Sequence, residues 1–194
     1  MRYIIISIMF SFLFSSISYS QTNLIKNPNA ELDEKEWKLA GEATVENNNS
    51  GNKIFTIRNG GSFWQDVELP KEIAGKFALL IGRGSSERIN VDGQITGLPY
   101  LYGFLFSSKE SNGAQINTYL TGQKLRANVS NTNQWVAIYG IFEIPEKTVS
   151  ARIFLNQAER KGLPQNGSAA NFDDLGFFIF DTKEEALEFA NKYD

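Results

Sequence analysis

The chain has 194 residues, 13% of them aromatic, and carries 19 basic against 22 acidic side chains with neither cysteine nor histidine. Without cysteine there is no disulfide framework, thiol nucleophile, lipid-anchored cysteine or thiolate metal site; without histidine there is no Ser-His-Asp device, imidazole acid–base or His-ligated zinc. The acidic balance argues against nucleic acid as a partner, which calls for a basic patch, and the length suits one domain whose core needs no staples.

The first segment reads as an export signal. Arg2 supplies the positive start, Tyr3 to Ile17 is an apolar run broken only by serine, and Ser18-Tyr19-Ser20 places small residues where a signal peptidase reads. Residues 1–20 are thus expected to be removed, leaving a single domain over 21–194. The run is shorter and richer in serine than the roughly 20 apolar residues of an anchor, and no second such run follows. The expected product is secreted, extracellular or periplasmic, and not membrane-embedded.

From Gln21 onward the pattern is short apolar runs of period two, the mark of half-buried strands. Strands are expected at Asn23–Asn27, Glu36–Glu46, Lys53–Arg58 and Ser62–Leu69, with turns at Asn49-Ser50-Gly51-Asn52 and Asn59-Gly60-Gly61. Lys76–Arg83 follows, then a long loop over Gly82–Pro99. Tyr100–Phe106, Gln115–Leu120, Gln134–Ile144 and Val149–Asn156 come next, then a second long loop over Asn156–Ser168 and a last strand, Ala170–Phe180. Thr182-Lys183-Glu184-Glu185 is a capping box, and Ala186, Phe189, Ala190 and Tyr193 fall on one helical face. A short helix over 183–192 is expected, docked on the sandwich edge. So many short strands in one domain with so little helical periodicity give an all-β fold, a jelly-roll β-sandwich with a short C-terminal α-helix.

Strand alternation sorts the aromatic residues. Phe63, Gln65 and Val67 alternate with Trp64, Asp66 and Glu68; Ala151, Ile153 and Leu155 alternate with Arg152, Phe154 and Asn156. Val136, Ile138 and Phe142 share a face opposite Ala137, Tyr139 and Ile141. Trp64, Tyr139 and Phe154 thus point away from the better apolar stripe, Tyr100 and Tyr102 share one face, and Tyr119 ends a strand. A sugar ring has an apolar C–H face and a rim of hydroxyls, so it suits flat aromatic rings with polar groups beside them. Trp64, Tyr102, Tyr119, Tyr139 and Arg152 are assigned to such a platform. The competing reading makes these rings a second small core beneath the C-terminal helix or a long loop.

Four motifs in order carry a resemblance. Asn23-Leu24-Ile25-Lys26-Asn27-Pro28-Asn29-Ala30-Glu31 with Trp37, then Trp64-Gln65-Asp66-Val67-Glu68-Leu69, then Trp135 with Phe142-Glu143-Ile144-Pro145, then Phe172-Asp173-Asp174-Leu175-Gly176-Phe177 span nearly all of residues 23–180. Together they resemble carbohydrate-binding modules of families 4, 9 and 22, which are galactose-binding-like jelly rolls. This chain departs from the family opening at Asn29 and Ala30, where a glycine and an aromatic are usual. The resemblance implies a non-catalytic glycan-binding module with a structural Ca2+ held by Glu31 and Asp173, helped by carbonyls near Asn29 and Lys53. The alternative of the same fold is a structural or adhesive domain that contacts protein. Asp173 and Asp174 are not expected to act as a glycosidase pair, because neighbours on a strand point to opposite faces.

Overall fold

A computed structural model of the chain describes residues 21–89, 95–108, 117–120, 133–158 and 168–193, with backbone alone at 88–89, 95–96, 117–120 and 158. The expected signal peptide, parts of both long loops and the start of the Gln115–Leu120 strand lie outside the described residues. The elements are β1 (Lys38–Asn47), β2 (Lys53–Glu68), β3 (Phe77–Ser86), β4 (Arg88–Ile89), β5 (Ile95–Thr96), β6 (Leu98–Ser107), β7 (Asn117–Leu120), β8 (Val136–Glu143), β9 (Thr148–Ala158), β10 (Ala169–Phe180) and α1 (Lys183–Ala190).

The strands pair in the order β7-β6-β9-β2-β10-β3-β8, with β1 also on β2 and β4–β5 as a separate ribbon. All pairings are antiparallel. The long strand β2 makes this one sheet into a sandwich. Its first half pairs with β10, through Phe55↔Phe172 and Ile57↔Ala170. Its second half pairs with β9, from Ser62↔Asn156 to Glu68↔Ser150. The first layer is therefore β1, β2, β10, β3 and β8; the second is β2, β9, β6 and β7. One core joins them, with Phe55, Ile57, Leu80, Phe172 and Phe177 from the first layer against Phe63, Val67, Leu101, Leu105, Ile153 and Leu155 from the second. On most strands residues of one parity face inward, as the period-two runs require; on β10 the inward parity changes from Ala170 and Phe172 to Leu175 and Phe177 across a register shift. The jelly-roll sandwich is thus the observed fold.

Three local expectations are corrected. The Asn59-Gly60-Gly61 turn does not separate two strands: β2 runs through it, with Asn59 at φ 46° and Gly60 at φ 75°, opposite a register shift between Ala40 and Glu42 of β1. Gly61 serves close backbone approach rather than a reversal, because a Cβ on it would lie 2.5 Å from the Glu42 carbonyl oxygen, whereas Gly60 serves its left-handed φ alone. Asn23–Asn27 forms no strand. Side chains pin it instead: Asn23 Nδ2 donates to Leu175 O (2.8 Å), and the buried Gln65 amide bonds the backbone of Lys26 at both its N–H (2.8 Å) and its carbonyl (2.9 Å). The Gly82–Pro99 loop is shorter than expected, since β3 continues to Ser86 and β6 begins at Leu98.

The capping box forms as expected, with Glu185 N–H donating to Thr182 Oγ1 and Thr182 N–H donating to Glu185 Oε2, both at 3.2 Å. The helix packs on the outer face of the first layer, not on the sandwich edge. Over the paired segments Phe77–Ile81 of β3 and Gly176–Phe180 of β10 both faces are apolar, so Leu79, Ile81, Phe178 and Phe180 need a cover of their own. Ala186 and Ala190 supply it, with Phe189, Tyr193, Tyr139 and Ile141 around them. Among the described residues no helix is long and apolar enough to cross a membrane.

Candidate functional site

The outer face of the second layer carries an in-register array of rings. Trp64 of β2, Phe154 of β9 and Tyr102 of β6 stand opposite one another across three strands. Their rings stack, with centroids 6.3 Å apart for Trp64–Phe154 and 4.9 Å for Phe154–Tyr102, the latter pair within 7° of parallel. Along β6 the alternation Tyr100, Tyr102, Phe104, Phe106 extends the face, Tyr100 stacking on Tyr102 at 4.9 Å. These rings are half-buried, whereas the residues between them, Leu101 and Leu105, are in the core. The next row adds charge. Arg152 Nε donates to Asp66 Oδ1 at 2.5 Å, Lys38 Nζ to Asp66 Oδ2 at 2.8 Å, and the Arg152 guanidinium lies 5.9 Å from the Phe106 ring centre. The hydrogen bond from Arg152, then that from Lys38, holds the Asp66 carboxyl below the ordinary carboxylate range.

Of the five residues assigned to a platform, three come together: Trp64, Tyr102 and Arg152. Tyr119 stands opposite Phe104 in the β6–β7 register, and its side chain lies outside the described residues. Tyr139 does not join them. It sits on the other layer among the residues beneath α1, so the second-core reading holds for this ring. Phe154, central to the array, and Phe104 and Phe106 are not among those five, although the same alternation that places Tyr102 outward places all three beside it.

A second feature gathers the residues expected to hold calcium. Asn29, Glu31, Asp173 and Asp174 line a polar cavity of about 400 Å3 with Arg83, Asn48 and Trp135. Both aspartates face it, contrary to the alternation expected of strand neighbours. Asp174 is left-handed (φ 48°) at a break in the β10–β3 register between Asp173 and Gly176, and this bulge turns the second carboxylate to the same side. Burial pushes the Asp173 carboxyl up to about 6; the negative charges of Asp174 and Glu31 add to this, against the Asp174 N–H that donates to it at 2.9 Å. Lys53 is placed differently from expectation. It does not line the cavity, and its Nζ donates to the Glu31 carbonyl (3.2 Å) and to Asp33 (2.7 Å). No group of three or more His, Cys, Asp or Glu among the described residues is disposed to hold a metal. A cation here would rest on two carboxylates plus amide and carbonyl oxygens, a donor set that suits Ca2+.

No protein-family model matches the chain, and no curated protein matches it by sequence. Solved structures do resemble it. A xylan-binding domain of carbohydrate-binding module family 22 aligns with TM-score 0.51 at 15% identity, over 82% of this chain and 97% of that one. The Clostridium thermocellum endo-1,4-beta-D-xylanase 10B, as its family 22 and glycosidase modules complexed with xylohexaose, aligns with TM-score 0.53 at 11% identity, over 80% of this chain and 28% of that one. The enzymatically active domain of bacteriophage CBA120 tailspike protein 4 aligns with TM-score 0.55 at 14% identity; 81% of this chain is covered, but it spans only 21% of the tailspike chain. At such identities the likeness is one of architecture, and the chain has the jelly-roll fold of the family 22 carbohydrate-binding modules.

Proposed function

We propose that the chain is a secreted, non-catalytic module that binds a glycan along the outer face of its second layer. The observation that carries this reading is the Trp64–Phe154–Tyr102 ladder with the Asp66–Arg152 pair in the adjoining row. The stacked rings present their outward edges as a continuous apolar strip to the C–H groups of successive sugar units. The half-exposed guanidinium and carboxylate beside them have hydrogen-bonding capacity for hydroxyls. A xylan-binding domain and a xylohexaose complex among the similar structures lend support to a polysaccharide ligand. We further propose a structural calcium at Glu31 and Asp173, assisted by the Asn29 region. Such an ion would neutralise a half-buried carboxylate that now has like charges beside it, and tie the opening segment to β10.

The test is binding of the mature chain to soluble and insoluble polysaccharides, xylan among them, with calcium and with chelator. Saturable binding that Trp64→Ala abolishes while the fold is kept supports the proposal. No binding across the panel overturns it, and turns attention to a protein partner for the same aromatic face.

A further inference from the structure

On the outer face of the first layer, away from the aromatic array, a row of polar side chains is dry. Asn171 of β10 stands opposite Thr56 of β2 on one side and Ser85 of β3 on the other. Their exposures are 3%, 0% and 2%. Outer sheet faces are polar because water reaches them, yet here the tip of the β1–β2 hairpin and Trp135 lie over the row. They border a cavity of about 410 Å3, open to solvent on one side and lined by Asn171 and Ser85 of the row but not by Thr56, within the range of small-molecule sites.

Two atoms in this row lack partners. Asn171 Nδ2 donates to Glu87 Oε1 at 3.0 Å, and because a carboxylate only accepts, this fixes which end of the amide is which. Asn171 Oδ1 is left with no hydrogen-bond partner, as is Thr56 Oγ1 beside it. Leaving a buried acceptor unpaired costs more than pairing it gains, so such atoms call for a donor from outside. The charged rim is already engaged: Arg58 bonds both oxygens of Glu46, at 2.5 and 3.0 Å, and lies 3.5 Å from Glu87. An anion would meet two carboxylates, and a cation would have to displace the arginine.

We propose that this cavity is a second binding site, separate from the aromatic face, for one small neutral polyhydroxylated ring: a single sugar unit. A ring hydroxyl donates to Oδ1 of Asn171, which lines the cavity, and the C–H face lies against Trp135. The site does not depend on the aromatic array, which is on the opposite layer.

The mature chain is titrated separately with D-xylose, D-glucose and D-galactose while the Asn171 side-chain amide and Trp135 indole N–H resonances are followed. The expected result is a saturable shift of both with at least one sugar, unchanged in Trp64→Ala. The same sugar is expected to bind about tenfold more weakly to Trp135→Ala and to Asn171→Leu, the latter removing the acceptor while filling its space. Absence of a saturable shift with all three sugars overturns the proposal and leaves the cavity to water. So does a shift that survives Asn171→Leu but disappears in Trp64→Ala. Failure of polysaccharide binding to the aromatic face leaves this test unaffected, because each face has its own variant.

Discussion

Phe154 stands directly opposite Tyr102 in the β6–β9 register, and their rings lie 4.9 Å apart and within 7° of parallel. Since Trp64 stacks on the other side of Phe154, this ring joins the two flanking ones into one surface. Each such pair contributes about 0.5–1.5 kcal/mol beyond area burial. Phe154→Ala is expected to weaken polysaccharide binding at least about tenfold, a loss in the range of aromatic interface residues. Tyr139→Ala is expected to leave binding unchanged and to lower stability by about 2–3 kcal/mol, because its ring packs beneath α1. Affinity electrophoresis and urea unfolding on the two variants separate these effects.

Asp66 holds Arg152 and Lys38 in place at the side of the ladder. Its carboxyl is held below the ordinary carboxylate value, so its contribution is present above that value and is lost as pH falls through the lower folded value. Both partners are well exposed, which limits the stability effect of Asp66→Asn to under about 1 kcal/mol at neutral pH. The larger expected effect is on binding, a several-fold loss as Arg152 is released. Denaturant melts and binding isotherms at neutral pH check both; unchanged affinity would remove Arg152 from the site.

Asp173 runs the other way. With chelator present its folded value of about 6 lies above the ordinary 3.8, so the folded chain keeps a proton that the unfolded chain has released. Stability is expected to fall as pH rises from 4 to 6. Asp173→Asn should flatten that slope and raise neutral-pH stability by about 1 kcal/mol, allowing for solvent screening of a half-buried group. Calcium should reverse the order, stabilising the wild-type chain and not the variant. Melting temperatures indifferent to both calcium and chelator would discard the ion.

Gly61 gives a test of the β2 kink. A Cβ there would meet the Glu42 backbone at 2.5–2.9 Å, where no flexible side chain can yield. Gly61→Ala is expected to cost about 2–3 kcal/mol, read as a lower urea midpoint, by forcing β1 off β2. Gly51→Ala, at a position where the new methyl meets nothing within 4 Å, should cost about 1 kcal/mol through its φ of 82° alone.

The contrast between these glycines marks what could be read in advance. Period-two runs and the Thr182 capping box depend on near neighbours, so most strands and the helix were legible in the chain. Asn59-Gly60-Gly61 has the composition of a turn, and only pairing of its flanks with β1, β9 and β10 decides that the strand continues. Trp64 and Tyr139 were equivalent by alternation. Which of them is covered depends on where α1 docks, a matter settled by the doubly apolar segments of β3 and β10 far along the chain. The shared facing of Asp173 and Asp174 comes from a bulge with no local signature. Phe104, Phe106 and Phe154, by contrast, were readable from the alternation that placed Tyr102.

The seating of α1 on one layer gives the domain a heads and a tails. A chain lying flat on an insoluble polymer through its ring-bearing side turns the helix toward bulk solution. Lys183 and Lys192, both exposed there, then remain reachable by a label or an antibody while the domain is bound.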